Sequence, residues 1–185
     1  LIVTVISLAV HTFMGNFSET SFAIVSPHLM EEFNVSAVAV QWLTSGFLLL
    51  LAAAIPLSPF LIKTISTKLL FKFAVTIFIA GTIIGAFASN FAMLLAGRLI
   101  MAIGTGCSLP LLTNIVLEET TPYQRGTLLG IVGLVVSFAP VLGPVLGGLI
   151  AEYLGWRWVF LFMLPILVVS FIMGSAAIRD IRKGE

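Results

Sequence analysis

Phe33-Asn-Val-Ser-Ala-Val-Ala-Val-Gln-Trp-Leu-Thr-Ser-Gly-Phe-Leu-Leu-Leu-Leu-Ala-Ala-Ala-Ile-Pro-Leu-Ser-Pro-Phe-Leu-Ile62 contains no charged residue. A helix needs roughly 20 apolar residues to cross a hydrocarbon layer about 30 Å thick, so this run is long enough to span a bilayer. The same pattern repeats on either side of it. Upstream, Leu1 to Pro27 is interrupted by one charge, Glu19. Downstream, an uncharged run follows Lys72 and ends at Ser89-Asn90, a polar pair that reads as a tight turn. The next run, Phe91 to about Val116, holds a single charge, Arg98, and two more runs cover about Thr127–Ala151 and Trp158–Ile178. The expectation is an all-α membrane protein: one transmembrane domain over residues 1–185, with six helices near 1–27, 37–62, 70–88, 91–116, 127–151 and 157–178.

Composition agrees. Hydrophobic residues make up 59% and charged residues 9% of the 185, with a mean hydropathy of +1.18, whereas soluble domains carry about 25% charged residues. A transmembrane β-barrel would show alternating apolar and polar residues in segments of about ten, and none is present. Net charge is +1 with basic residues scattered over several loops, which excludes nucleic acid as a partner. Cys107, the single cysteine, lies inside the fourth span, so neither an internal disulfide nor a cysteine metal site is expected and it reads as a packing residue. Nothing calls for a cofactor or a metal.

Loops retained in the cytoplasm are enriched in Lys and Arg. With the amino terminus inside, Lys63, Lys68, Lys72, Arg125, Arg179, Arg182 and Lys183 are cytoplasmic and Arg157 alone is outside, so both ends are expected in the cytoplasm and Glu31-Glu32 faces outward. Leu1 begins in mid-hydrophobic sequence without a basic stretch, unlike a cleavable signal peptide. The basic end, Arg179 to Glu185, reads as the start of a linker.

A charge within the membrane costs at least about 2.5 kcal/mol at a helix centre and normally finds a partner or a hydrated path. Glu19 lies about 12 Å from the Pro27 end of its helix, and Arg98 about 10 Å from the Phe91 end, at 1.5 Å per residue. The two charges therefore share a depth and are candidates to meet. Burial opposes the carboxylate charge while a nearby guanidinium favours it, so Glu19 is a candidate for exchanging a proton. A fixed structural tie between two helices is the alternative. His11, Gly15, Ser18 and Ser26 fall within a sector of about 80° on the first span, with Glu19 at its edge, and this stripe is expected to face a cavity. His11 is either a proton relay or a hydrogen-bonded packing residue.

In the fifth span, Ala139-Pro-Val-Leu-Gly-Pro-Val-Leu-Gly-Gly148 sets Gly143 and Gly147 four apart, a spacing that lets helix backbones approach closely. Pro140 and Pro144 each remove a backbone donor and should bend the span. Spans two and five each hold two prolines, and spans one and four each hold a buried charge, the symmetry expected of inverted three-helix repeats.

Together these stretches resemble the major facilitator superfamily, more narrowly its drug:proton antiporter group with fourteen spans. Ser18-Glu-Thr-Ser-Phe-Ala-Ile-Val-Ser-Pro27 resembles that group's first-span signature as it occurs in lincomycin-resistance-type exporters, with Ser18 in place of Asn. Gly97-Arg98 through Gly104 resembles the fourth-span motif, whose Arg is associated with proton coupling. The Gly143-Pro144 and Gly147-Gly148 run resembles the antiporter motif, associated with sealing the closed conformation. Gly155-Trp-Arg-Trp-Val-Phe160 with Pro165, and Pro122-Tyr-Gln-Arg-Gly126, also match the group. The departure is in the second-to-third loop, where Leu61 and Lys68 survive but Lys63 occupies an Asp position and Ser66 a Gly position, so the family's loop latch must differ here or be missing. Met163 stands where the group often has Asn.

The resemblance implies the amino-terminal half of a secondary transporter that exports drug-like amphipathic molecules in exchange for protons by alternating access. Its partners would be the substrate, the proton, the lipid bilayer and a carboxy-terminal half missing from this sequence, and its location a bacterial cytoplasmic membrane. An intramembrane enzyme would need a nucleophile–base pair or metal ligands at membrane depth, which His11 alone does not make. A channel, a non-transporting membrane partner or sensor, and a facilitator for another solute stay open.

Overall fold

The computed structural model describes residues 2–65, 67–119 and 121–177. Their order is α1 (Ile2–Phe33), α2 (Ala37–Thr64), α3 (Thr67–Ala86), α4 (Phe91–Glu119), α5 (Pro122–Ser137), α6 (Ala139–Tyr153) and α7 (Arg157–Ala177), with no strand among the described residues. Arg179, Arg182, Lys183, Ser66 and Leu1, which enter the expectations above, lie outside them.

Local chemistry sets the ends. Asn34 adopts a left-handed φ of 52° and lets the Val35 N–H bond to the Met30 carbonyl, which closes α1. The Ser36 hydroxyl accepts from the Ala39 N–H and starts α2. The expected turn at Ser89-Asn90 starts α4, because the Asn90 Oδ1 accepts from the Met93 N–H at 2.8 Å. Gly155, at φ 102°, turns the chain between α6 and α7.

Five stretches are long and apolar enough to cross a membrane: Ala37–Leu57, Lys68–Ala86, Phe91–Glu118, Pro122–Tyr153 and Arg157–Gly174. The fourth of these contains α5 and α6, which together form one span interrupted at Phe138. Pro140 has no N–H to offer the preceding turn, so the bend expected from the prolines becomes a break between two helices. Helix α1 is long enough at 32 residues but less apolar, because Ser7, His11, Thr12, Ser18 and Ser21 line the side it buries in the bundle. The described residues thus form an all-helical bundle with five such stretches, and α1 packs among them where the sixth crossing is expected. Helix α1 also runs past Pro27 to Phe33, so Glu31 and Glu32 ride on its last turn.

Helix α4 packs against α1, α2 and α3, and α1 packs against α4, α6 and α7. The closest approach joins α3 to α4. A Cβ added at Gly97 would sit 2.8 Å from the Gly81 carbonyl oxygen and 2.9 Å from the Gly85 nitrogen, so backbone meets backbone. Helices α2, α5 and α6 leave broad apolar faces uncovered, including Trp42, Leu49, Val141 and Val145. Such faces cost nothing against lipid.

Candidate functional site

Arg98 is the largest completely buried side chain of the bundle. Its Nη1 donates to the Ser18 hydroxyl at 3.2 Å, and Ser18 in turn donates to the Gly15 carbonyl at 2.8 Å. The guanidinium carbon lies over two aromatic rings, Phe22 of α1 at 4.5 Å and Phe47 of α2 at 4.1 Å from centroid to Cζ. The remaining nitrogens, Nε and Nη2, are buried without a protein partner. Glu19, next to Ser18, is close enough to act on Arg98 through its field. The expected meeting of the two charges is thus indirect, since the one direct ion pair among the described residues is Arg157–Glu32.

The polar seam continues along α1 and α4. Gly15 lies against Thr105, where a Cβ would come within 2.9 Å of the Thr105 methyl carbon. One turn further, the Thr12 and Ser108 hydroxyls are 3.4 Å apart. This antiparallel ladder places Ser18, Gly15 and Thr12 opposite Arg98, Thr105 and Ser108.

One expectation is corrected here. The stripe of His11, Gly15 and Ser18 does not line an open face: His11 and Ser18 are both 0% exposed. The helical period identifies a shared face but not which neighbours cover it, and here α3 and α4 do. His11 meets the edge of Phe78 on α3 at 4.9 Å, and neither of its nitrogens has a protein partner. Glu19, at the stripe's edge, is half-buried, and Ala23 one turn on is exposed. Glu19 therefore stands between the α4 contact and the open side of α1.

The fifth-span run packs directly beside it. Gly143 and Gly147 are buried against α1. A Cβ on Gly143 would collide with Thr20, and one on Gly147 would come 2.7 Å from the Ser21 hydroxyl. The Ser21 hydroxyl donates to the Gly143 carbonyl at 3.1 Å, so α6 is docked onto the two residues that follow Glu19. Pro140 is exposed at the break, Pro144 is half-buried, and Gly148 faces Ile24 at an ordinary 3.4 Å.

The residues expected in the second-to-third loop lie instead on helix ends, Lys63 exposed in the last turn of α2 and Lys68 half-buried at the start of α3, and neither makes an ion pair among the described residues. Leu61 lines an apolar groove of about 360 Å³ with Leu57, Ile65 and Phe73. Arg125 donates to the Leu117 carbonyl at the end of α4, at 2.6 Å. Met163 is fully buried and apolar in its surroundings.

Sequence reasoning missed a second cluster at the opposite end of the bundle from Lys63. Trp156 donates its indole N–H to Glu32, whose other oxygen lies 3.5 Å from Arg157. Arg157 also donates to the Ala86 carbonyl at 3.0 Å and lies over the Trp156 ring at 4.6 Å. This ties the ends of α1, α3 and α7 together. The available signal was opposite charge on one side of the membrane, Glu31-Glu32 and Arg157.

Comparison with known proteins gives a consistent picture. A family model described as Major Facilitator Superfamily matches residues 8–185. The lincomycin resistance protein LmrB of Bacillus subtilis is 42% identical over 176 residues, covering 95% of this chain and 37% of that protein. A multidrug resistance protein B homolog of Mycobacterium tuberculosis is 30% identical over 173 residues, covering 94% of this chain and 29% of its own length. Among solved structures, a bacterial homolog of the human lysosomal transporter Spinster, inward-facing and unoccupied, superposes with a TM-score of 0.83 at 19% identity. It covers 98% of this chain and 44% of that one, and at this identity it speaks for the fold alone. The chain spans about 29–37% of the length of these curated relatives.

Proposed function

The chain belongs to the Major Facilitator Superfamily, and on that premise we propose that it forms the amino-terminal half of a proton-coupled antiporter that exports amphipathic drugs. The observation that carries this reading is the setting of Glu19. The half-buried carboxylate borders the open side of α1, while its neighbour Ser18 holds the buried Arg98. A carboxyl that borders the open face on one side and the field of the buried Arg98 on the other is placed to exchange a proton as that face alternates between open and closed.

Alternating access then proceeds by rocking of this six-helix unit against a second half around a site near the membrane middle. Helix α6, docked on Thr20 and Ser21 through Gly143 and Gly147, couples its own movement to the segment that carries Glu19. The names of the relatives support lincomycin and other drugs as substrates. The bacterial relatives support a place in the cytoplasmic membrane, and the basic loops support cytoplasmic ends. With Lys63 exposed at the end of α2 and unpaired among the described residues, closure on that side relies on contacts other than an acid at this position.

The test is flux in proteoliposomes of the full-length protein, using lincomycin and a fluorescent lipophilic cation with and without an imposed pH gradient. Glu19→Gln is expected to abolish gradient-driven movement while retaining exchange of substrate for substrate. Unchanged gradient-driven flux in that variant would leave Glu19 and Arg98 a structural tie.

A further inference from the structure

A guanidinium inside an apolar bundle ordinarily forms a bidentate pair with a carboxylate. Arg98 does not. Its polar contact with the protein is one hydroxyl, that of Ser18, and the Phe22 and Phe47 rings lie within 4.5 Å of its Cζ, both 1% exposed. The negative face of an aromatic ring attracts a cation, and the planar guanidinium is the cationic group that stacks on such faces. Nε and Nη2 share the edge of the plane that Ser18 leaves free, and two parallel donors on one edge match the two oxygens of a carboxylate.

We propose that Phe22 and Phe47 are positioning residues, which clamp the Arg98 plane so that its Nε–Nη2 edge is held ready for the Glu19 carboxylate. The rings come from different helices, α1 and α2, so a shift of α2 against α1 loosens the clamp and turns that edge away. Helix movement and the charge state of Glu19 are thereby linked without a standing ion pair. Among the described residues, His11 of α1 and the Cys107 thiol of α4 are the other titratable groups buried in this interior. The charges of α2 and α3, Lys63, Lys68 and Lys72, sit at the far end of the bundle.

This inference rests on the coupling role given to Glu19 and Arg98, and the experiment separates the two. Phe47, and in a second series Phe22, is replaced by mono-, di- and trifluorinated phenylalanine in the full-length transporter, which drains the ring's negative face with little change of shape. The readout is the pH profile of gradient-driven lincomycin flux. A stepwise shift of the profile is expected, with flux falling about tenfold at full fluorination, the equivalent of about 1.4 kcal/mol of lost attraction. Phe47→Tyr should retain the wild-type profile. If fluorination leaves the profile unmoved while Arg98→Lys and Glu19→Gln abolish gradient-driven flux, the clamp is overturned and the coupling stands. If those two variants keep gradient-driven flux, the coupling reading itself falls, and the clamp with it.

Discussion

Gly97→Ala adds one methyl group where α4 touches α3, and the structure sets the size of the effect. The new Cβ would lie 2.8 Å from the Gly81 oxygen and 2.9 Å from the Gly85 nitrogen, and ordinary contact begins at 3.4 Å. The deficit is 3.4 − 2.8 = 0.6 Å. Both obstacles are backbone atoms of α3, so no side chain can rotate away, and the helices must part by about that much along the seam. Overpacking of this kind costs about 1–3 kcal/mol. Alanine also returns about 0.5–1 kcal/mol of backbone entropy relative to glycine in a helix.

The entropy gain can be removed with a control. Gly148→Ala has the same gain, but its Cβ meets Ile24 at 3.4 Å, an ordinary contact. The difference between the two variants therefore isolates the overpacking, and Gly97→Ala should be the less stable by about 1–3 kcal/mol. The assay is equilibrium unfolding in mixed micelles followed by tryptophan fluorescence. Equal stabilities for the two alanine variants would refute the backbone-to-backbone packing of α3 on α4.

Other perturbations test separate features. Trp156→Phe keeps an aromatic ring but removes the donor to Glu32 and part of the buried packing, and should cost at least about 1.5–3 kcal/mol; most of the loss should persist in high salt, because a neutral N–H donor is not screened as an ion pair is. Arg157→Met, by contrast, removes a partly exposed ion pair worth up to about 1 kcal/mol together with the bond to Ala86, and only the first part should fade with salt. Pro140→Ala restores an N–H at the break between α5 and α6; the span should become one continuous helix, read as added helical circular dichroism, and transport by the full-length protein should slow. With Cys107 replaced, single cysteines at Lys63 and Tyr153 should react oppositely with an impermeant maleimide on intact cells, Tyr153 labelled and Lys63 protected; the reverse pattern would invert the proposed orientation.

What the sequence shows and what it hides divide along physical lines. The spans are legible because lipid tolerates few charges, so long uncharged runs such as Phe33–Ile62 stand out without any knowledge of neighbours. Depth is partly legible, since helical rise converts residue number into height, and Ser18, the neighbour of Glu19, does meet Arg98. Azimuth is not. The period places His11 and Ser18 on one face, yet only the packing of α3 and α4 turns that face inward. The pairing of two rings with Arg98 was hidden for the same reason, because Phe47 reaches Arg98 only through the packing of α2 on α4. The ends of α1 and α6 were blurred by proline: Pro27 is carried inside a helix, whereas Pro140 coincides with a break.

The inward polarity of α1 also bears on how the protein is made. Its hydroxyls, His11 and Glu19 suit it to neighbours and not to lipid, so as it leaves the ribosome it has little drive to partition into the bilayer alone. Its main polar counterparts, Arg98, Thr105 and Ser108, belong to a helix synthesised much later. Integration of the first span thus depends on delayed assembly with the fourth, and a chain truncated before Phe91 should leave α1 loosely anchored and open to membrane proteases.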